Sequence, residues 1–136
     1  MFVHPLFPYG TISVTSILQG EYCRVGPEAA EFYSDISDEQ KAYWGPRQQH
    51  TSAAVFSSAV NYEPWNNMPT MYFFCDGDLG LPTQVQEQMA QLLGPDFIEF
   101  RATSSHFPFL SVPDKVVECA ALAAKIGMEK KTVALA

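Results

Sequence analysis

The chain has 136 residues, a formal net charge of −7, 47% hydrophobic residues and 17% charged ones. That is enough chain for one domain with a real core, and it is too apolar for a disordered segment. The eight Lys and Arg are scattered, with one short cluster at Lys130-Lys131, which excludes phosphate-driven binding of nucleic acid, and no run of about 18 apolar residues is present to span a membrane.

The N-terminus, MFVHPLFPYG, is apolar but holds two prolines and no Lys or Arg, which makes it a poor signal peptide. Residues 1–31 are broken at Pro5, Pro8, Gly10, Gly20, Gly26 and Pro27. They have no clear period and are expected to be irregular, with one short helical piece. From Ser37 a helix is predicted: Ser37 and Gln40 form a capping box, and Asp38 and Glu39 suit the positive end of the helix dipole. It should stop near Gly45-Pro46. A second short helix is expected over about Gln48 to Ser57, and Asn61 to Pro69 is expected to be a loop.

Thr70 to Cys75 (TMYFFC) is a continuous apolar run. It reads as a strand buried on both faces, as in a parallel sheet. Pro82 suits the first position of a helix, and Val85, Met89, Leu92 and Leu93 share one helical face. Gly94 and Pro95 end that helix. Phe97 to Arg101 is a second strand and Thr103 to Ser111 a loop. Pro113 opens a last helix with Val116, Val117, Ala120, Ala121 and Ala124 inside and Gly127 at its close. The pattern is an α/β fold with a β-α-β-α parallel unit.

Ligands in open α/β sheets bind outside the carboxyl ends of the strands. Two groups with chemistry lie there: the acidic pair Asp76 and Asp78 after the first strand, and His106 after the second. A histidine in such a place can act as a general base, and a carboxylate on its other nitrogen fixes the tautomer. Local chemistry alone does not separate Asp76 from Asp78. His50 reads as a helix-surface residue, Trp44 and Trp65 as packing residues, and Cys75 as a small buried hydrophobe. Cys23, Cys75 and Cys119 are an odd number at unrelated spacings, read as reduced thiols in a cytoplasmic setting. With no CxxC and with His4, His50 and His106 widely separated, no metal site is expected.

The stretches MPTMYFFCDGDLGLPTQVQEQMA and ATSSHFPFLSVPDKVVE resemble the C-terminal half of the α/β-hydrolase superfamily. They are most similar to the small-esterase branch that includes methylesterases and hydroxynitrile lyases. In that branch the catalytic acid stands in C-x-x-D-x-x-hydrophobic-P, which Cys75, Asp78, Leu81 and Pro82 match. The resemblance therefore favours Asp78 over Asp76. Its histidine loop is matched by Ser105, His106, Pro108, Ser111 and Pro113. EFYSDISDEQKAYWGPRQQHTSAAVFSSAVNYEPW is similar to the helical cap of these enzymes. The resemblance covers about residues 30–127 and implies an irregular N-terminus and cap segment over 1–67 and a partial α/β-hydrolase core over 68–136. It implies catalytic Asp78 and His106, an ester-like small-molecule substrate and no cofactor.

One part of the family's pattern is missing. No G-x-S-x-G elbow occurs in the 136 residues, and Ser13 and Ser16 lack the flanking glycines. Ser104 and Ser105 share the loop of His106. The early loop that donates oxyanion N–H groups has no counterpart either. The expectation is a chain that carries the Asp and His but no nucleophile, and that does not hydrolyse esters alone. The alternatives are a non-catalytic binding or interaction module, or one half of a split enzyme. The unpaired side of strand 70–75 would also invite self-association.

Overall fold

The computed structural model describes residues 16–56, 58 and 61–134. Strands β1 (Ser16–Gln19) and β2 (Tyr22–Val25) form an antiparallel hairpin, and β3 (Thr51–Ser52) pairs with β2 through Tyr22↔Ser52 and Cys23↔Thr51. This small sheet departs from the irregular segment expected over 1–31, of which residues 1–15 lie outside the described residues. The signal was a two-residue Gly20-Glu21 turn between short runs, a pattern that favours a hairpin. It also displaces the helix expected over 48–57. Thr51 and Ser52 are drawn into the sheet, and only a 3-10 turn, Ala53–Phe56, follows.

A 3-10 helix, Pro27–Tyr33, leads to α1 (Asp38–Trp44). The predicted capping box is formed: Ser37 Oγ accepts from the Gln40 N–H at 3.2 Å, and Gln40 Oε1 accepts from the Ser37 N–H at 3.2 Å. Phe32, Tyr33 and Ile36 are the buried cluster between these elements, with Phe107 and Leu110 packed against it. A segment early in the chain is therefore fastened to the loop that carries His106.

β4 (Met71–Cys75), α2 (Thr83–Gln91), β5 (Ile98–Ala102), α3 (Pro108–Ser111) and α4 (Pro113–Ala134) complete the chain. β4 and β5 are parallel, in register from Met71↔Ile98 to Cys75↔Ala102, as the pattern predicted. The fold is that of a partial α/β domain. Gly94, at φ +88°, ends the turn after α2 in a conformation that favours glycine.

Three expectations about packing are corrected. Only Phe74 and Cys75 of β4 are buried, because β4 has β5 as its one strand partner among the described residues. On α2 the most buried side chains are Gln86 and Ala90, while Leu92 is exposed. On α4, Val116 and Cys119 are half-buried, but Val117, Ala120, Ala121 and Ala124 are exposed. That helix also runs through Gly127. One interior glycine costs about 1 kcal/mol relative to Ala, which the good helix formers around it offset. Among the described residues, no helix is long and apolar enough to cross a membrane.

Candidate active site

The turn after β4 and the loop after β5 leave the sheet side by side. The Asp76 N–H donates to Ala102 O at 3.0 Å and the Gly77 N–H to Ser104 O at 3.0 Å, so the ladder continues past both strand ends. A Cβ on Gly77 would stand 3.1 Å from Ser104 O. The two backbones can approach this closely because residue 77 has no side chain.

Inside that turn Asp78 is buried. Its Oδ1 accepts from the Gly80 and Leu81 N–H groups, each at 2.9 Å, and its Oδ2 lies 2.7 Å from His106 Nδ1. An ionised carboxylate only accepts, so this contact puts the ring proton on Nδ1 and leaves the lone pair on Nε2. The Asp78 side chain is 3% exposed and that of His106 34%. The anion is thus sheltered, while the imidazole reaches solvent. A charge-assisted bond of this kind is short and strong for its class. The structure brings together the two residues singled out in the sequence, from elements 28 residues apart.

Asp76 goes elsewhere. Its Oδ1 accepts from Arg101 Nη1 at 2.7 Å, in a surface network where Arg101 also meets Glu87 and Glu99 and lies over the Phe74 ring. Cys75 is buried, as expected, and burial pushes its thiol above the ordinary range. His50 is exposed, though on coil rather than on a helix, with its ring edge against Tyr22. His4 lies outside the described residues, and among these no three His, Cys, Asp or Glu side chains come together as metal ligands.

Three contributors were not found in the sequence. Gln86 reaches from α2 to the end of β4: its Nε2 donates to Cys75 O and Leu81 O, both at 2.8 Å, and its Oε1 accepts from the Cys75 N–H at 2.9 Å. It fixes both ends of the turn that holds Asp78. Phe32 lies over the imidazole, ring centroids 4.5 Å apart and 31° between planes. Asp35 accepts from the Ser105 N–H at 2.7 Å and from the Ser105 hydroxyl. Burial pushes the Asp35 carboxyl up. The Ser105 donors lead the opposing causes, and the carboxyl is held below its ordinary value. The stabilisation is fully present above the ordinary carboxylate value and is lost as pH falls through the lower folded one.

Phe32 also explains Gly80. A Cβ there would overlap the edge of the Phe32 ring. Gly80→Ala is expected to cost about 1–3 kcal/mol, as overpacking does, and to push Phe32 off His106. A urea melt measures the first and the ring-current shift on the His106 Cε1 proton the second. A variant as stable as wild type with an unmoved shift would refute this packing.

A groove of about 220 Å³, bounded by Trp65, Asn67, Met68, Leu93 and Phe97, opens near the amino ends of β4 and β5. Neither Asp78 nor His106 lines it.

Parallel strands that release a carboxylate and an imidazole at one sheet edge, in that chain order, define the later part of an α/β-hydrolase core. A model of the alpha/beta hydrolase family matches residues 3–119. The chain belongs to that family. It is similar to the alpha/beta hydrolase nvfD of Aspergillus novofumigatus (strain IBT 16806), at 35% identity over 63 residues, which is 46% of this chain and 25% of that protein. The family match begins well before residue 30, so it reaches further toward the N-terminus than the resemblance read from the motifs.

Proposed function

We propose that this chain supplies the acid and base of a serine-hydrolase site acting on an ester or related carbonyl substrate. The observation that carries this reading is the 2.7 Å contact between Asp78 Oδ2 and His106 Nδ1, on a carboxylate anchored by two backbone N–H groups. His106 Nε2 takes the proton of the serine as it attacks the carbonyl carbon, then gives it to the leaving oxygen. Asp78 holds the tautomer and stabilises the imidazolium in between. The segment from Glu31 to Trp65 serves as the cap, and the free thiols of Cys23, Cys75 and Cys119 fit a cytoplasmic setting. Lyase chemistry with the same pair ranks below hydrolysis.

Ser104 and Ser105 do not fit as the nucleophile. Both are 1% exposed, and the Ser105 hydroxyl is engaged by Asp35. In this reading the serine and the oxyanion donors stand in a part of the fold other than these residues, on a longer form or a second chain. A fluorophosphonate probe tests it. The 136-residue chain alone is expected to remain unlabelled, and a G-x-S-x-G serine is expected to label in native material that contains this chain. Labelling that proceeds equally without the chain would sink the proposal.

A second reading, an interaction module, is favoured by the β4 edge. Thr70 O and the Asp76 N–H face β5, so the alternate backbone groups of Met71 and Phe73 face the side where no described strand pairs. Such an edge accepts another strand. Light scattering on the isolated chain is expected to show self-association that rises with concentration. A monodisperse monomer with a cooperative melt would remove this reading.

A further inference from the structure

We propose that Asp35 is a positioning residue for His106, acting through Ser105. The inference rests on the Asp–His pair of the proposed function and deepens it. Asp78 is held from within its own turn. Within the histidine loop, the Phe107 ring packs edge-on against His106 and Ser104 O accepts from the Gly77 N–H. A further hold comes from 70 residues earlier.

Ser105, one peptide bond before His106, is 1% exposed. Its N–H donates to Asp35 Oδ2 at 2.7 Å, and its hydroxyl lies against both Asp35 Oδ1 and the Phe32 carbonyl, the latter at 2.9 Å. A hydroxyl has one proton, so the charged acceptor is the stronger of the two. Both carboxylate oxygens thus grip one residue, which sets the backbone direction entering His106. The same segment lays the Phe32 ring over the imidazole. No Lys, Arg or His forms an ion pair with Asp35 among those found in the described residues. Its side-chain hydrogen bonds go to the histidine loop. Residues 32–35 therefore hold His106 from two directions, by the chain behind it and by the face of its ring.

Nitrogen NMR on the histidine-labelled 136-residue chain, near neutral pH, tests this on His106 itself. Wild type is expected to show the Nδ1–H tautomer, with a low-field proton that exchanges slowly with water. In Asp35→Asn that proton is expected to exchange about 10–100-fold faster, the equivalent of one charge-assisted hydrogen bond. Ser105→Ala keeps the backbone bond and loses the hydroxyl, so it should show a smaller change of the same kind, and it decides the matter if Asp35→Asn does not fold. A folded Asp35→Asn chain with wild-type tautomer and exchange overturns the role of Asp35, as does a Ser105→Ala chain indistinguishable from wild type. Because the readout is the ring and not turnover, a negative fluorophosphonate result leaves this test standing. A wild-type ring without the Nδ1–H pairing overturns both proposals.

Discussion

On the proposed reading, His106→Ala is expected to lower kcat by roughly 10⁴–10⁶-fold in material that carries the serine, with KM little changed, because a general base acts on the proton in flight and not on the bound substrate. Asp78→Asn should cost about 10⁴-fold at neutral pH. The cause is local. The asparagine oxygen can still accept from the Gly80 and Leu81 N–H groups, which now bind Asp78 Oδ1. Its amide nitrogen then faces His106 Nδ1 and donates to it. The ring proton is driven to Nε2, and the base has lost the lone pair it uses. The double variant should be little worse than His106→Ala, since residues that act as a unit do not add. Steady-state kinetics on a nitrophenyl ester series would check this. A His106→Ala enzyme within about tenfold of wild type would end the triad reading. Asp76→Asn is the matched control: it loosens the Arg101 surface pair, worth little on an exposed site, and should leave kcat alone.

Gln86→Leu is expected to destabilise the fold by about 3–5 kcal/mol. The side chain is 2% exposed and satisfies one backbone N–H and two carbonyls. Leucine fills much the same volume but leaves those groups unpaired, at roughly 1–3 kcal/mol for each that is buried. Against a typical total of about 5–15 kcal/mol this is a large fraction. Urea denaturation should show a lower midpoint with an unchanged slope. The variant should also self-associate more readily, because the freed Cys75 N–H and C=O extend the unpaired edge of β4. A midpoint equal to wild type would mean that the turn is held by other contacts.

How much of this was legible depended on distance along the chain. The continuous apolar run before Cys75, the Gly94-Pro95 stop and the capping box at Ser37 are local signals, and each names its element. With β4 and β5 parallel, strand ends carry their loops to one edge, so the strand pattern alone puts the acidic pair Asp76 and Asp78 beside His106. Choosing Asp78 over Asp76 took a family motif, and the geometry agrees: one carboxylate faces the imidazole and the other Arg101.

Gln86 and Asp35 had no such signal. Four glutamines stand between residues 83 and 92, and which one turns inward is decided by the rotation of α2 against β4. Asp35 meets Ser105 only because Phe32, Tyr33 and Ile36 pack against Phe107 and Leu110. The period of the apolar stripe on α4 predicts a core face, yet most of it faces outward, since period tells which residues share a face and not what covers it. The sequence by itself determined the order of β4, α2, β5 and α4, though not α3, where a loop was expected, and it placed an acidic pair and a histidine at the two strand ends. Backbone preference and turn chemistry act within a few residues, and that sufficed for those. Only tertiary structure decided how the pair is held, because buried hydrogen bonds and ring contacts are chosen by which surfaces meet, and those surfaces come from segments far apart in the chain.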